Sequence, residues 1–248
     1  MKNIKILFVI GSSFLVCSCT SLLLIGVGAN QKRVKPIRLT NNSKQVVFLP
    51  MHHVGVKSFY QSVYTLTDSL GKQGYEVFYE GTGKNLKTHQ DTIYEKKLRK
   101  LFGFALPKNG YLDSVEHKLL GQFKVPEKYM NQPKANLLYS IKSNPKNGDV
   151  SIQKLIEEYE NKYKEIELDS CDLITPLSEE YSCKSKSEDL KKARKIFNQE
   201  FILQYRNKSL AEQIHHSQSD KIIIAFGKRH ISGTIEVLRQ LDSSWHED

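Results

Sequence analysis

Two histidines, a glutamate and an Arg–Asn pair carry most of the chemistry this sequence could do. The run Ile222–Phe226 is rich in β-branched side chains and stops at Gly227; His230 follows, and then Gly233. Far upstream, Val46–Leu49 leads through Pro50, Met51 and His52 to His53 and Gly55. Each histidine stands four residues beyond its apolar run and just ahead of an apolar-periodic segment. Glu80 closes a third apolar run, and Arg206–Asn207 precede the strand that carries His230. In open α/β sheets, ligands bind outside the carboxyl ends of the strands. Two histidines delivered there by separate strands would make a site, and Arg206 could aim a guanidinium fork at a carboxylate or an oxyanion. Each residue alone has an ordinary reading. Loop histidines and strand-end glutamates are commonly solvated, and an arginine can serve the carbonyls at a helix C-terminus. The repeated placement is what favours a site.

The elements needed to bring these residues together are legible around the first histidine. Phe59, Val63, Leu66 and Leu70 recur at helical spacing, and Gly71 and Gly74 end that helix. Glu76–Glu80 follows as a strand closed by Gly81, Thr82 and Gly83. A strand, helix and strand of these lengths suit a right-handed βαβ crossover, with the two strands parallel and close. His53 and Glu80 then share one sheet edge. The Ile222–Phe226 run reads as a strand buried on both faces.

Between these strands the pattern is helical. Thr88–Phe102 is a lysine-rich amphipathic helix, and Tyr111–Phe123 is expected as a shorter one. Pro133, Asn144, Pro145 and Asn147 mark a loop; Ser151 caps a helix striped by Ile152, Leu155, Ile156, Tyr159, Tyr163 and Ile166. Capping boxes Ser185/Glu188 and Ser209/Glu212 open two more helices, which leaves Arg206–Asn207 at their junction. Ile235, Val237, Leu238 and Leu241 belong to the last helix. The expected fold is α/β: a central, largely parallel or mixed sheet flanked by helices, with a helical middle segment capping one edge.

The chain of 248 residues is long enough for a substantial core in one or two domains. Its formal charge of +10 favours anionic surfaces in general. The basic residues are spread through helical segments with acidic ones between them, however, and no nucleic-acid motif accompanies the short Lys32, Arg33, Lys35 group, so no nucleic-acid partner is expected. Ile6–Asn30 carries no charge and follows Lys2 and Lys5, the pattern of an export signal or membrane anchor. At ~1.5 Å per residue it spans roughly 36 Å, enough for a hydrocarbon core of about 30 Å. Cys19 could instead be the modified cysteine of a lipoprotein, but Leu22–Ala29 prolongs the apolar run where a polar tether would stand. An uncleaved anchor over residues 1–30, a linker over 31–44 and one domain over 45–248 is the expected layout, with the domain extracytoplasmic. Basic residues flank both ends of the run, so they do not orient it. In an exported domain, Cys171 and Cys183 suggest a disulfide closing a short loop, and their spacing fits no zinc pair.

In this order the features resemble the TraB/PrgY/GumN family, which includes the TIKI membrane proteases and lies within a group containing erythromycin-esterase-like and ChaN-like proteins. The family pattern is a strand and Gly-x-x-His, a strand-end Glu, an Arg–Asn pair, then a second strand and Gly-x-x-His with a following Gly. Here Pro50-Met51-His52-His53, Glu80, Arg206-Asn207 and Gly227-Lys228-Arg229-His230 with Gly233 stand in those places. The resemblance implies a metal-dependent hydrolase acting on peptides, with His53, Glu80 and His230 near a divalent Mn, Co or Zn ion. Such an ion would acidify a bound water and polarise a scissile carbonyl. Glu80 could alternatively be the general base, while Arg206 and Asn207 steady the oxyanion. It leaves open a non-catalytic module of the same family that binds haem or a peptide signal. Pro50 stands where the family has glycine, and His52 competes with His53 to face the site; the family register selects His53.

Overall fold

The most apolar strand takes the centre of the sheet. A computed structural model describes residues 24, 26, 28–81, 88–103, 110–113, 115–119, 123–183 and 188–248. In chain order the strands are β1 (Ile37–Thr40), β2 (Gln45–Met51), β3 (Val54–Val56), β4 (Glu76–Tyr79), β5 (Lys118–Leu119), β6 (Phe123–Lys124), β7 (Tyr129–Asn131), β8 (Lys146–Asn147), β9 (Lys221–Gly227) and β10 (His246–Glu247). Six of them form one mixed sheet in the order β10-β1-β2-β9-β4-β8. β2, β9, β4 and β8 run parallel, and β1 and β10 extend the sheet antiparallel. The protein is therefore α/β, with helices on both faces.

Alternation along the central strands divides the core. Val47, Leu49, Val77, Ile223 and Ala225 face the helix Lys57–Gly71 through Phe59, Tyr60, Val63 and Leu70. Val46, Phe48, Ile222, Ile224 and Phe226 face the helices Arg206–His216 and Lys228–Leu241 through Leu210, Ala211, Ile214, Ile231 and Leu238. Each such side chain, fully buried, is worth about 1.5–3 kcal/mol. With both faces covered, a near-continuous apolar run is what β9 needs. A third cluster packs the helices His89–Phe102 and Ile152–Lys162 against Phe197 and Phe201, forming a helical unit beside the sheet.

Several expectations are corrected. β2 and β4 are parallel but not neighbours, because β9 lies between them. That insertion carries His230's strand into the middle of the pair. Residues 31–44 are not a linker: Val34 is buried in the core and β1 pairs with β2. The described residues of Tyr111–Phe123 are not helical. They include an isolated bridge, Leu112 to Leu119, and β5, which pairs with β6. Nor does a junction loop separate the helices expected from Glu188 and from Ser209. Glu188–Ile196 continues as a π-helix over Phe197–Tyr205 and then as the α-helix Arg206–His216. Ser209 therefore lies inside a helix, where its hydroxyl accepts from Gln213 at 3.4 Å. Ser185, Cys17, Cys19, Thr82 and Gly83 fall outside the described residues. Among those described, no helix is long and apolar enough to cross a membrane.

Other local readings match the structure. Ser151 accepts from the Lys154 N–H at 3.2 Å, and Thr88 and Asp91 form a reciprocal cap. Cys171 and Cys183 are disulfide-bonded. Pro50 sits in β2 opposite Phe226, beyond Phe48, the last residue that β1 pairs. A missing N–H is tolerated where the neighbouring ladder has stopped.

Candidate functional site

The carboxyl ends of β4, β8 and β9 converge on one guanidinium. Arg206 Nε donates to Asp149 Oδ1 at 2.7 Å and Nη2 to Asp149 Oδ2 at 2.6 Å, a two-point pair. Nη2 also donates to Glu80 Oε1 at 2.7 Å. Nη1 lies 3.1 Å from His230 Nε2. The chain supplies these groups for local reasons. Glu80 follows β4 directly, and its N–H donates to the Ala225 carbonyl on β9. Asp149 follows β8 by two residues, and His230 stands in the first turn of the helix that β9 feeds.

Arg206 and Asn207 reach the site through the π-helix. Its wider turns separate the Phe197/Phe201 face, packed in the helical unit, from the Arg206, Asn207, Leu210 and Ile214 face, packed on the sheet. π-helical turns are rare and are frequently found at functional sites. The sequence placed a junction here; the structure makes it a change of helix type.

Two glycines allow the close approaches. A Cβ on Gly227 would lie 3.1 Å from Glu80 Oε2, which accepts from the Gly227 N–H at 2.6 Å. A Cβ on Gly233 would lie 2.2 Å from Asn207 Nδ2, so an alanine there cannot coexist with Asn207 in its seat. Asn207 Oδ1 lies 2.8 Å from His230 Nδ1. That contact puts the imidazole proton on Nδ1 and leaves Nε2 as an acceptor toward Arg206.

Burial sets the electrostatics. Desolvation, reinforced by Arg206, pushes His230 down to about 4, so the ring is neutral at physiological pH. Desolvation also pushes Glu80 upward, but Arg206 and the Gly227 N–H outweigh it and hold the carboxyl below its ordinary range. Asp149 moves the other way: desolvation raises it, against Arg206. Of the charged groups, Glu80 is the more open, with 15% of its side chain exposed against 5% for Arg206 and 0% for Asp149.

The structure thus brings Glu80, Arg206, Asn207 and His230 into one network. His53 is not hydrogen-bonded into it. Its ring is exposed and lies tilted against Tyr111, with centroids 4.8 Å apart. His52 turns inward instead, against Phe59. Burial, then the Glu80 carboxylate, raises the Tyr111 phenol.

Asp149 and Tyr139 are the residues that sequence reasoning missed. Asp149 stands beyond a two-residue polar strand that no hydrophobic pattern could reveal. The signal that could have found it is an acidic residue beside Asn147–Gly148, at a turn ahead of a capped helix. Tyr139 stacks on Tyr79, the residue before Glu80, and its buried hydroxyl has no partner among the described residues.

The donors do not fit a resident metal ion. Among the described residues, no three His, Cys, Asp or Glu side chains gather as a metal set. His230 Nε2 and Glu80 Oε1 both face Arg206, and Nδ1 and Oε2 are taken by Asn207 and Gly227. A divalent ion reaching those atoms would meet the guanidinium at close range. Comparison with protein families, curated proteins and solved structures gives no match.

Proposed function

We propose that the chain is a hydrolase of the TraB/TIKI type, tethered by its apolar N-terminal run, that acts on peptide carbonyls with Arg206 as the site's cation. The observation that supports this reading is the convergence of Glu80, His230 and Arg206 at the carboxyl edge of a parallel sheet. Such edges are where open α/β folds hold ligands. Glu80, the open carboxylate, holds the attacking water and orients its lone pair toward the carbonyl carbon. Glu80 takes the water's proton as the water oxygen bonds to carbon, while His230, whose Nε2 is held by Arg206, stays neutral. Arg206 balances the negative charge that develops on the carbonyl oxygen. The same proton then goes to the leaving amine as the C–N bond breaks. Asn207 acts on the ring, not the substrate, by fixing the Nδ1–H tautomer.

The divalent ion that the family resemblance implies would have to displace Arg206, Asn207 or Gly227 from His230 and Glu80, and no step is routed through it. One observation favours the second reading, a non-catalytic peptide- or haem-binding module. Arg206 is almost closed off, and its N–H groups already have partners within the chain. A peptide library incubated with the purified full chain, with and without a chelator, separates the readings. Cleavage that survives chelation is expected. Binding of peptide or porphyrin without turnover would favour the module, and cleavage abolished by chelation and restored by metal would return the ion to the site.

A further inference from the structure

Glu80 and Asp149 reach Arg206 from two strand ends, and one exposed side chain ties those ends together. Asn147 closes β8, level with Tyr79 of β4 in the parallel register. Its Nδ2 donates to the Gly81 carbonyl at 2.6 Å, and its Oδ1 accepts from the Asp149 N–H at 3.0 Å. The Gly81 N–H in turn donates to Asp149 Oδ2 at 3.2 Å, the oxygen that Arg206 Nη2 also holds. These hydrogen bonds close a ring through Gly81, Asn147 and Asp149, and Glu80 is the next residue along the chain.

The same turn is held from the other side. The Gly148 N–H donates to the Tyr79 carbonyl at 3.1 Å, and the Gly148 carbonyl accepts from Gln213 Nε2 at 3.0 Å. Gln213 stands about two turns after Arg206 in one helix, on the same face. The turn 147–149 therefore runs from the end of β4 to the helix that carries Arg206. Gly81 has no side chain to pack, so the backbone that follows Glu80 depends on this ring for its position.

We propose that Asn147 is a positioning residue, which sets where Glu80 and Asp149 stand about Arg206 without touching substrate. The inference rests on reading Glu80 as the proton acceptor in hydrolysis. A catalytic group keeps its rate only while its supporting hydrogen bonds hold its aim, and a displacement of about 1 Å can cost ~100-fold. Asn147 is exposed and lies outside the apolar core, so its loss bears on the aim of the carboxylate more than on the stability of the fold.

Full chain carrying Asn147→Ala, Asn147→Asp or, as a control, Asn144→Gly is assayed for peptide hydrolysis, alone and combined with Glu80→Gln. Asn147→Asp keeps the acceptor for Asp149 and removes the donor to Gly81. Asn144 lies on the same loop but donates to Glu76 Oε1 at 3.0 Å, at the other end of β4, and its φ of 43° suits glycine. Either Asn147 change is expected to lower kcat about 10- to 100-fold with KM and the urea midpoint nearly constant, while Asn144→Gly keeps the wild-type rate. In the Glu80→Gln background, the Asn147 changes should lower kcat no further. Wild-type kcat in either Asn147 variant, with Glu80→Gln impaired, would overturn the inference and leave the proposed hydrolase standing. A fall that comes with a lower urea midpoint, adds to that of Glu80→Gln or is matched by Asn144→Gly would make Asn147 a general support of the β4–β8 edge, which also overturns it. Full activity in Glu80→Gln, or no cleavage by the wild type, would overturn the hydrolase reading and this inference with it.

Discussion

Arg206 and Asp149 form a two-point ion pair whose carboxylate is wholly out of water, and Glu80 shares the guanidinium from the open side. The cation is thus neutralised from behind and engaged in front by the carboxylate nearest solvent. Removing one partner of a buried pair strands the other and typically costs about 3–5 kcal/mol. Asp149→Ala is expected to lose stability on that scale in urea unfolding. A loss under ~1 kcal/mol would mean that water already reaches the pair.

Acid should weaken the fold through His230. Its folded value, about 4, lies below the ordinary 6.5, so the unfolded chain binds the proton more readily between those values. The associated stability is complete above about 6.5 and is lost progressively as pH falls toward 4. His230→Gln should flatten this part of the profile. Asp149, whose value is raised, contributes with the opposite sign, so only the difference between wild type and variant isolates the histidine. Parallel profiles for the two proteins would show that His230 titrates normally.

Gly233 and Asn207 should be energetically coupled. Gly233→Ala puts a methyl 2.2 Å from Asn207 Nδ2 and is expected to cost about 1–3 kcal/mol. In an Asn207→Ala background the same change should cost markedly less, a non-additivity read from a double-mutant cycle. Additive costs would mean that the two helices yield to the methyl in another way.

How much of this was legible depended on whether a residue's neighbours announced it. Glu80 and His230 follow apolar runs long enough to read as strands, and Arg206–Asn207 sit where the helix changes type. Asp149 follows β8, whose Lys146 and Asn147 carry no apolar signal at all. The order of β2, β9 and β4 was also hidden. Local patterning specifies a parallel crossover, but a strand arriving about 140 residues later in the chain entered between the two. The π-helix could not be read either, since Phe197, Phe201 and Tyr205 repeat at a spacing that an α-helix also satisfies. His53 shows the limit of motif register. Its position matches the family's histidine, while the polar network closes without it.

On the proposed function, Glu80 and its Arg206-centred partners perform the chemistry. The most direct measurement is the peptide-hydrolysis rate of full-length Glu80→Gln against wild type, both shown to be folded by circular dichroism and both assayed with chelator present. The isosteric change keeps an acceptor for Arg206 but removes the charge that draws a proton from water. A fall of ~100-fold or more is predicted. Equal rates in the two proteins would remove Glu80 from the chemistry and leave the cluster as scaffold.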